Sequence, residues 1–192
     1  EGEVLVRGRN TKEYKVPELA EDVGIVFQDF EAQLFSTNVE LEVAFGPENF
    51  AIERDEIKRR IDENLSFVGL EEFRYRSPAT LSGGQKQKLA IASVLALEPN
   101  ILALDEATTD LDPISKMGIY DITNKLRQRE DMTMFVVEHD TEEVLDADRI
   151  ALIKNGKIDR VEKAQTILRD SDYLIKMGVM PLGIPRFFTA MG

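Results

Sequence analysis

Apolar and polar positions along the chain fall into two textures. Short apolar runs bounded by turn-forming residues predict strands at Glu3–Val6, closed by Gly8, at Val23–Phe27, followed by Gln28, and at Ile101–Leu104, Thr133–Val137 and Ile150–Ile153. Ile101–Leu104 is wholly apolar, and both it and Thr133–Val137 read as buried strands of a parallel sheet. Between Val39 and Pro78 the period changes: Ile57, Ile61, Leu65 and Val68 recur at helical spacing and Gly69 follows as a stop. Ser82 stands as an N-cap before a second amphipathic stretch that must end ahead of Pro99, and Asp112-Pro113 pairs a capping residue with a first-turn proline. Asn155-Gly156 predicts a tight hairpin turn. Strands alternating with helices predict an α/β fold with a mostly parallel sheet and a helical insertion. The expected segments are a core piece over 1–38, a helical subdomain over 39–80, further core over 81–160 and a helical extension over 161–192.

Composition narrows the classes. A chain of 192 residues, 43% of them hydrophobic, can bury a real core with one inserted subdomain. The net charge of −12, from 24 basic and 36 acidic residues, argues against nucleic acid as a partner. With no cysteine there is neither a disulfide framework nor a thiolate metal site. No apolar run approaches the roughly 18 residues of a membrane span, and no signal peptide is visible, so any membrane role is expected to work through a partner.

Candidate chemistry lies where strands end. In open α/β sheets ligands bind beyond the carboxyl ends of the strands, and Gln28, Asp105-Glu106 and His139 each follow a predicted strand. The run Ser82-Gly83-Gly84 opens a helix, where free N–H groups and the helix dipole favour an anion. Singly, each feature has an ordinary reading: a surface amide, a solvated acidic loop, a structural histidine, a plain turn with its cap. Their order along one chain is what points to a shared site.

That order resembles the nucleotide-binding domain of ABC ATPases, a P-loop NTPase fold of RecA-like, ABC type. "LSGGQ" at Leu81–Gln85 matches the signature motif of that family, "ILALDEAT" at Ile101–Thr108 resembles its Walker B strand, "TTDLDP" at Thr108–Pro113 its D-loop and "VVEHD" at Val136–Asp140 its switch-histidine loop. "VFQDFEAQLFSTNVELEVAFGPEN" at Val26–Asn49 looks like the ATPases of cobalt, nickel and vitamin importers of the energy-coupling-factor type. Phe30, Ala107 and Asp110 depart from the usual pattern of that group without removing a chemical group from the site.

The resemblance implies ATP and Mg²⁺ as ligands and a second ATP-binding subunit facing the first head to tail. Ser82, Gly83, Gly84 and Gln85 then contact a nucleotide held on the partner, and Asp112 bridges the two half-sites. Asp105 holds Mg²⁺ directly or through water, Gln28 senses the metal and water, Glu106 acts as general base, and His139 contacts the γ-phosphate. A transmembrane transporter subunit docks near Gln28 and the Phe35–Phe45 region, at the cytoplasmic face of the membrane, and nucleic acid is no partner. The family's P-loop, with its Gly-Lys-Ser/Thr ending, has no counterpart in these residues. By resemblance it precedes Gly2–Gly8, together with an adenine-stacking aromatic loop, so the N-terminal part is expected to be missing and this chain alone to be inactive. By resemblance the lost P-loop strand is central to the sheet, and its loss is expected to leave the Ile150–Ile153 strand without a neighbour. At the other end, Gly183–Gly192 reads like a helix just beginning. The alternatives are an ABC-like binding module naturally without a P-loop and a nucleic-acid-linked ABC-type ATPase.

Overall fold

The computed structural model describes residues 2–109, 111–129 and 132–183. In chain order the elements are β1 (Leu5–Val6), β2 (Arg9–Asn10), α1 (Val16–Ala20), β3 (Val23–Val26), α2 (Val39–Asn49), α3 (Arg54–Val68), α4 (Gly83–Leu95), β4 (Ile101–Asp105), α5 (Pro113–Arg127), β5 (Thr133–Val137), β6 (Arg149–Lys154), β7 (Lys157–Lys163), α6 (Ala164–Arg169) and α7 (Ser171–Met177). Short 3₁₀ turns occupy Phe30–Gln33, Glu71–Phe73, Pro78–Thr80 and Thr141–Val144. The chain forms two compact units, residues 1–135 and 136–192.

The first unit is organised around α4. Seven of its residues are buried, among them Leu89, Ala90, Ile91 and Ala92, so apolar side chains cover most of its circumference. Such a helix must be enclosed on several sides, and α2, α3, α5 and β3 all pack against it. The sheet order is β3-β4-β5, with β3 and β4 parallel and Val26 level with Leu104. Val26, Leu102 and Leu104 are buried in one core with Val39, Val43, Leu65, Leu89 and Ile119. Helix α3 presents Ile61, Leu65 and Val68 to that core and ends at Gly69, whose φ of 71° is left-handed and suits glycine. Ahead of the sheet, Asp22 is buried and accepts from both Arg7 and Arg9, which ties the β1–β2 hairpin to the start of β3.

The second unit is a hairpin backed by two short helices. Strands β6 and β7 pair antiparallel around the Asn155-Gly156 turn, with a register shift between Leu152 and Ile153. Leu152, Ile167 and Leu174 form its small core.

Two expectations change. Thr133–Val137 is a strand, but Phe135, Val136 and Val137 are exposed, because among the described residues β5 stands at the end of the strand order β3-β4-β5. The Ile150–Ile153 strand does not lack a neighbour, since β7 supplies its ladder. The expected helix start over Gly183–Gly192 and the departure at Asp110 lie outside the described residues, apart from Gly183 itself. Among the described residues no helix is long and apolar enough to cross a membrane.

The approach of β3 to α4 depends on Gly24. A Cβ there would lie 2.3 Å from Cγ1 of Val94 and 3.1 Å from Cγ of Pro99, and a branched valine on a helix has almost no rotamer freedom to yield. Gly24→Ala is expected to destabilise the chain by about 1–3 kcal/mol, the usual cost of overpacking. Adding Val94→Ala should recover part of the loss. Urea midpoints of the three variants check this; equal midpoints for wild type and Gly24→Ala would refute the close approach.

Candidate functional site

The head of α4 is built from its own sequence. Ser82 is extended, with φ −67° and ψ 163°, and its hydroxyl oxygen accepts the Gln85 N–H at 3.3 Å. The Gln85 side-chain oxygen accepts the Ser82 N–H at 2.9 Å in return, closing a capping box. A helix begins with four N–H groups that have no partner inside it. The box takes those of Ser82 and Gln85, and no acceptor among the described residues takes those of Gly83 and Gly84. Two neighbouring amide donors thus stand at the positive end of a helix of thirteen residues.

Gly84 is also a packing site. A Cβ on it would lie 2.3 Å from the Ser115 hydroxyl oxygen and 2.6 Å from the Ser115 Cβ. Ser115 sits in the first turn of α5, which starts at Asp112. The Asp112 carboxylate accepts the N–H groups of Ile114 and Ser115 at 3.0 and 3.1 Å and the Ser115 hydroxyl at 2.5 Å. The Ser115 hydroxyl, followed by its N–H and that of Ile114, holds the Asp112 carboxyl below the usual carboxylate range. The starts of α4 and α5 therefore meet through glycine on serine.

The strand ends supply the acidic half. In the parallel ladder Val26 is level with Leu104, so β3 and β4 end side by side, on strands about 4.8 Å apart; Gln28 follows β3, and Asp105-Glu106 closes and follows β4. Asp105, the last residue of β4, is exposed. Glu106 is half-buried at φ 49°, a left-handed conformation that is uncommon outside glycine. The next two residues, Ala107 and Thr108, are buried, so the chain turns sharply at Glu106 and dives back into the core. Among the described residues no three His, Cys, Asp or Glu side chains are grouped to hold a metal ion by themselves. His139 follows β5 and is exposed, and it belongs to the second unit.

The residues after Gln28 carry a set of tethers that sequence reading missed. Asp29 caps the 3₁₀ turn by accepting the Ala32 N–H at 3.3 Å. Glu31 meets the Lys86 ammonium of α4 at 2.8 Å. The Gln33 carboxamide accepts the Phe27 N–H at 2.9 Å and donates to the Ile25 carbonyl at 3.1 Å. Glu42, buried in α2, accepts the N–H groups of Phe35 and Ser36 at 3.1 and 2.7 Å. Glu42 had a visible signal: with Val39, Val43 and Pro47 it lies on the apolar face of α2, where an unpaired carboxylate is costly and so must find donors. Gln33 had none, because its partners are backbone groups. The apolar residues of this region sort into two kinds. Phe30 and Leu34 pack on the core, whereas Phe27, Phe35 and Phe45 are exposed, with the rings of Phe35 and Phe45 edge to face at 4.5 Å.

The chain is similar to several known proteins. A family model described as ABC transporter matches residues 1–109. A protein of Caldanaerobacter subterraneus subsp. tengcongensis described as an ABC transporter ATP-binding protein is 53% identical over 98% of this chain and 33% of its own length. The energy-coupling factor transporter ATP-binding protein EcfA1 of Streptococcus agalactiae is 38% identical over 93% of this chain and 64% of its own. Among solved structures, cbiO1 of Clostridium perfringens, part of the ABC transporter complex cbiONQ, superposes with a TM-score of 0.79 at 32% identity, over 97% of this chain and 74% of that one. The chain spans a third to just under two thirds of the length of these two sequence relatives.

The Asp112 cap gives a pH prediction. Its carboxyl is lowered on folding, so the charge contributes stability that is present above the unfolded-state value and lost as pH falls through the folded one. Asp112→Asn keeps a capping side chain but removes the charge. Wild type should exceed Asp112→Asn in urea midpoint at about pH 6, and the gap should close as pH falls below about 4. A gap that persists unchanged at low pH would refute the role of the charge.

Proposed function

Because the chain belongs to the ABC transporter ATP-binding family, we propose that it is part of the ATP-binding and ATP-hydrolysing subunit that powers an importer of transition-metal ions or vitamins through a membrane partner. The importer class is supported by the Val26–Asn49 motif and by relatives named for the energy-coupling factor transporter. The observation that supports the site reading is the parallel pairing of β3 and β4, whose last pair is Val26 and Leu104, so that the segments carrying Gln28 and Asp105-Glu106 both begin at that one end of the sheet.

In this reading the N–H groups of Gly83 and Gly84, with the Ser82 hydroxyl and the Gln85 carboxamide, receive the γ-phosphate of ATP held on a second ATP-binding subunit facing this one head to tail. Oriented donors at a helix start suit that charge. Asp112 lies beside them, at the head of the helix that packs on Gly84, and bridges toward the partner. The Asp105 carboxylate and the Gln28 amide oxygen are hard oxygen donors fit for Mg²⁺, which usually takes only one or two carboxylates and completes its shell with phosphate and water. When bound, Mg²⁺ neutralises charge on the phosphates. Glu106 accepts the proton of the attacking water, its carboxylate held at a fixed exit from β4 by the buried residues that follow. His139 contacts the γ-phosphate. Phosphoryl transfer asks mainly for positioning and charge stabilisation, and short polar groups on strand ends and a helix head provide both.

The exposed Phe35–Phe45 pair beside the tethered segment supports docking of a transmembrane transporter subunit there. It fits a peripheral ATPase at the cytoplasmic face of the membrane. In the full-length protein assembled with its partner, Glu106→Gln is expected to retain ATP binding and to lower turnover by roughly 10²–10⁴-fold, the scale of general-base catalysis. Single-turnover hydrolysis alongside nucleotide-binding measurements tests this. Near-wild-type turnover would overturn the base assignment.

A further inference from the structure

We propose that Gln33 is a positioning residue for Gln28. The proposal rests on the reading of Gln28 as the residue that meets the metal and the attacking water. In an extended strand the carbonyl of one residue and the N–H of the residue two further on face the same edge, where a neighbouring strand takes both. At the end of β3 these groups are the Ile25 carbonyl and the Phe27 N–H. The side chain of Gln33 engages both, accepting from Phe27 at 2.9 Å and donating to Ile25 at 3.1 Å. A single carboxamide, brought back by the 3₁₀ turn over Phe30–Gln33, does for β3 what one residue of an added strand would do. β3 is an outer strand of its sheet, where backbone groups need such cover.

Gln28 sits directly after the clamped Phe27 and directly before Asp29, whose carboxylate accepts the Ala32 N–H. It is therefore bracketed by two bonds between side chain and backbone, one on each side. Its own side chain is exposed, so nothing in the core sets its direction, and the backbone must. Only the full carboxamide serves: a carboxylate lacks the donor for Ile25, and asparagine is one methylene short of reaching both groups. Mere stapling of a surface turn would make the same bonds, and the two roles separate by experiment.

The test uses the full-length ATPase assembled with its transporter. The variants are Gln28→Ala, Gln33→Met, Gln33→Asn and the double Gln28→Ala/Gln33→Met. Gln33→Met keeps length and removes both bonds. It should lower kcat by about tenfold while KM for Mg-ATP stays within about twofold, as expected when an interaction matters in the transition state only. Gln33→Asn should move kcat in the same direction, and serves if the methionine variant folds poorly. The double variant should be no slower than Gln28→Ala alone, since a residue that acts through another has nothing left to act on. Hydrogen exchange gives a readout without turnover: the Phe27 amide should exchange about tenfold faster or more in Gln33→Met, with exchange in α4 unchanged. Additive losses in the double variant, an unchanged kcat in both Gln33 variants, or an unchanged Phe27 amide would overturn the proposal. Full turnover in Gln28→Ala would instead overturn the role of Gln28 beneath it.

Discussion

Everything in the first unit depends on burying α4 on nearly all sides while leaving its first turn open. A helix with Leu89, Ala90, Ile91, Ala92 and Leu95 buried cannot lie on a surface. The sheet supports one side through β3, and the helical block supports others through α2 and α3. Its N-terminus, by contrast, must keep donors free. The capping box satisfies the Ser82 and Gln85 amides with the motif's own side chains, and among the described residues none claims the two glycine amides. Stability and availability are thus divided within four consecutive residues. The helix holds because half its terminal donors are capped, and it can meet an anion because the other half are not.

Small residues make the close approaches that this burial requires. Gly24 lets β3 lie against Val94 of α4, and Gly84 lets the head of α4 lie against Ser115 of α5. In both places a side chain would push apart elements whose spacing sets the site. The Ser115 hydroxyl that touches Gly84 also bonds the Asp112 carboxylate. One small polar residue thus joins the starts of two helices, each carrying part of the proposed nucleotide contact.

Much of this was legible in the sequence because it is local. Helix α3 and its Gly69 stop follow from the spacing of Ile57, Ile61, Leu65 and Val68. The Ser82 and Asp112 caps, the first-turn Pro113 and the Asn155-Gly156 turn follow from side chains that bond within three residues or from backbone angles few residues adopt. β4 could be read because its apolar run is flanked by polar residues on both sides. β5 was read as a strand but not as an exposed one. Its composition states that it is apolar, whereas its position in the sheet decides how much of it is covered.

The sequence by itself determined most of the strands, the helices α3, α4 and α5, the caps and the order of polar residues after strands, since each is set by periodicity or by contacts a few residues apart. Tertiary structure alone decided which of them meet. The register that sets Val26 level with Leu104 joins positions far apart in the chain, and the Lys86–Glu31 pair spans 55 residues. The use of Gln33 and Glu42 as receivers for backbone N–H groups was likewise hidden, because a backbone amide is the same at every position. Only the path of the folded chain selects which amide lies within about 3 Å of a given side chain.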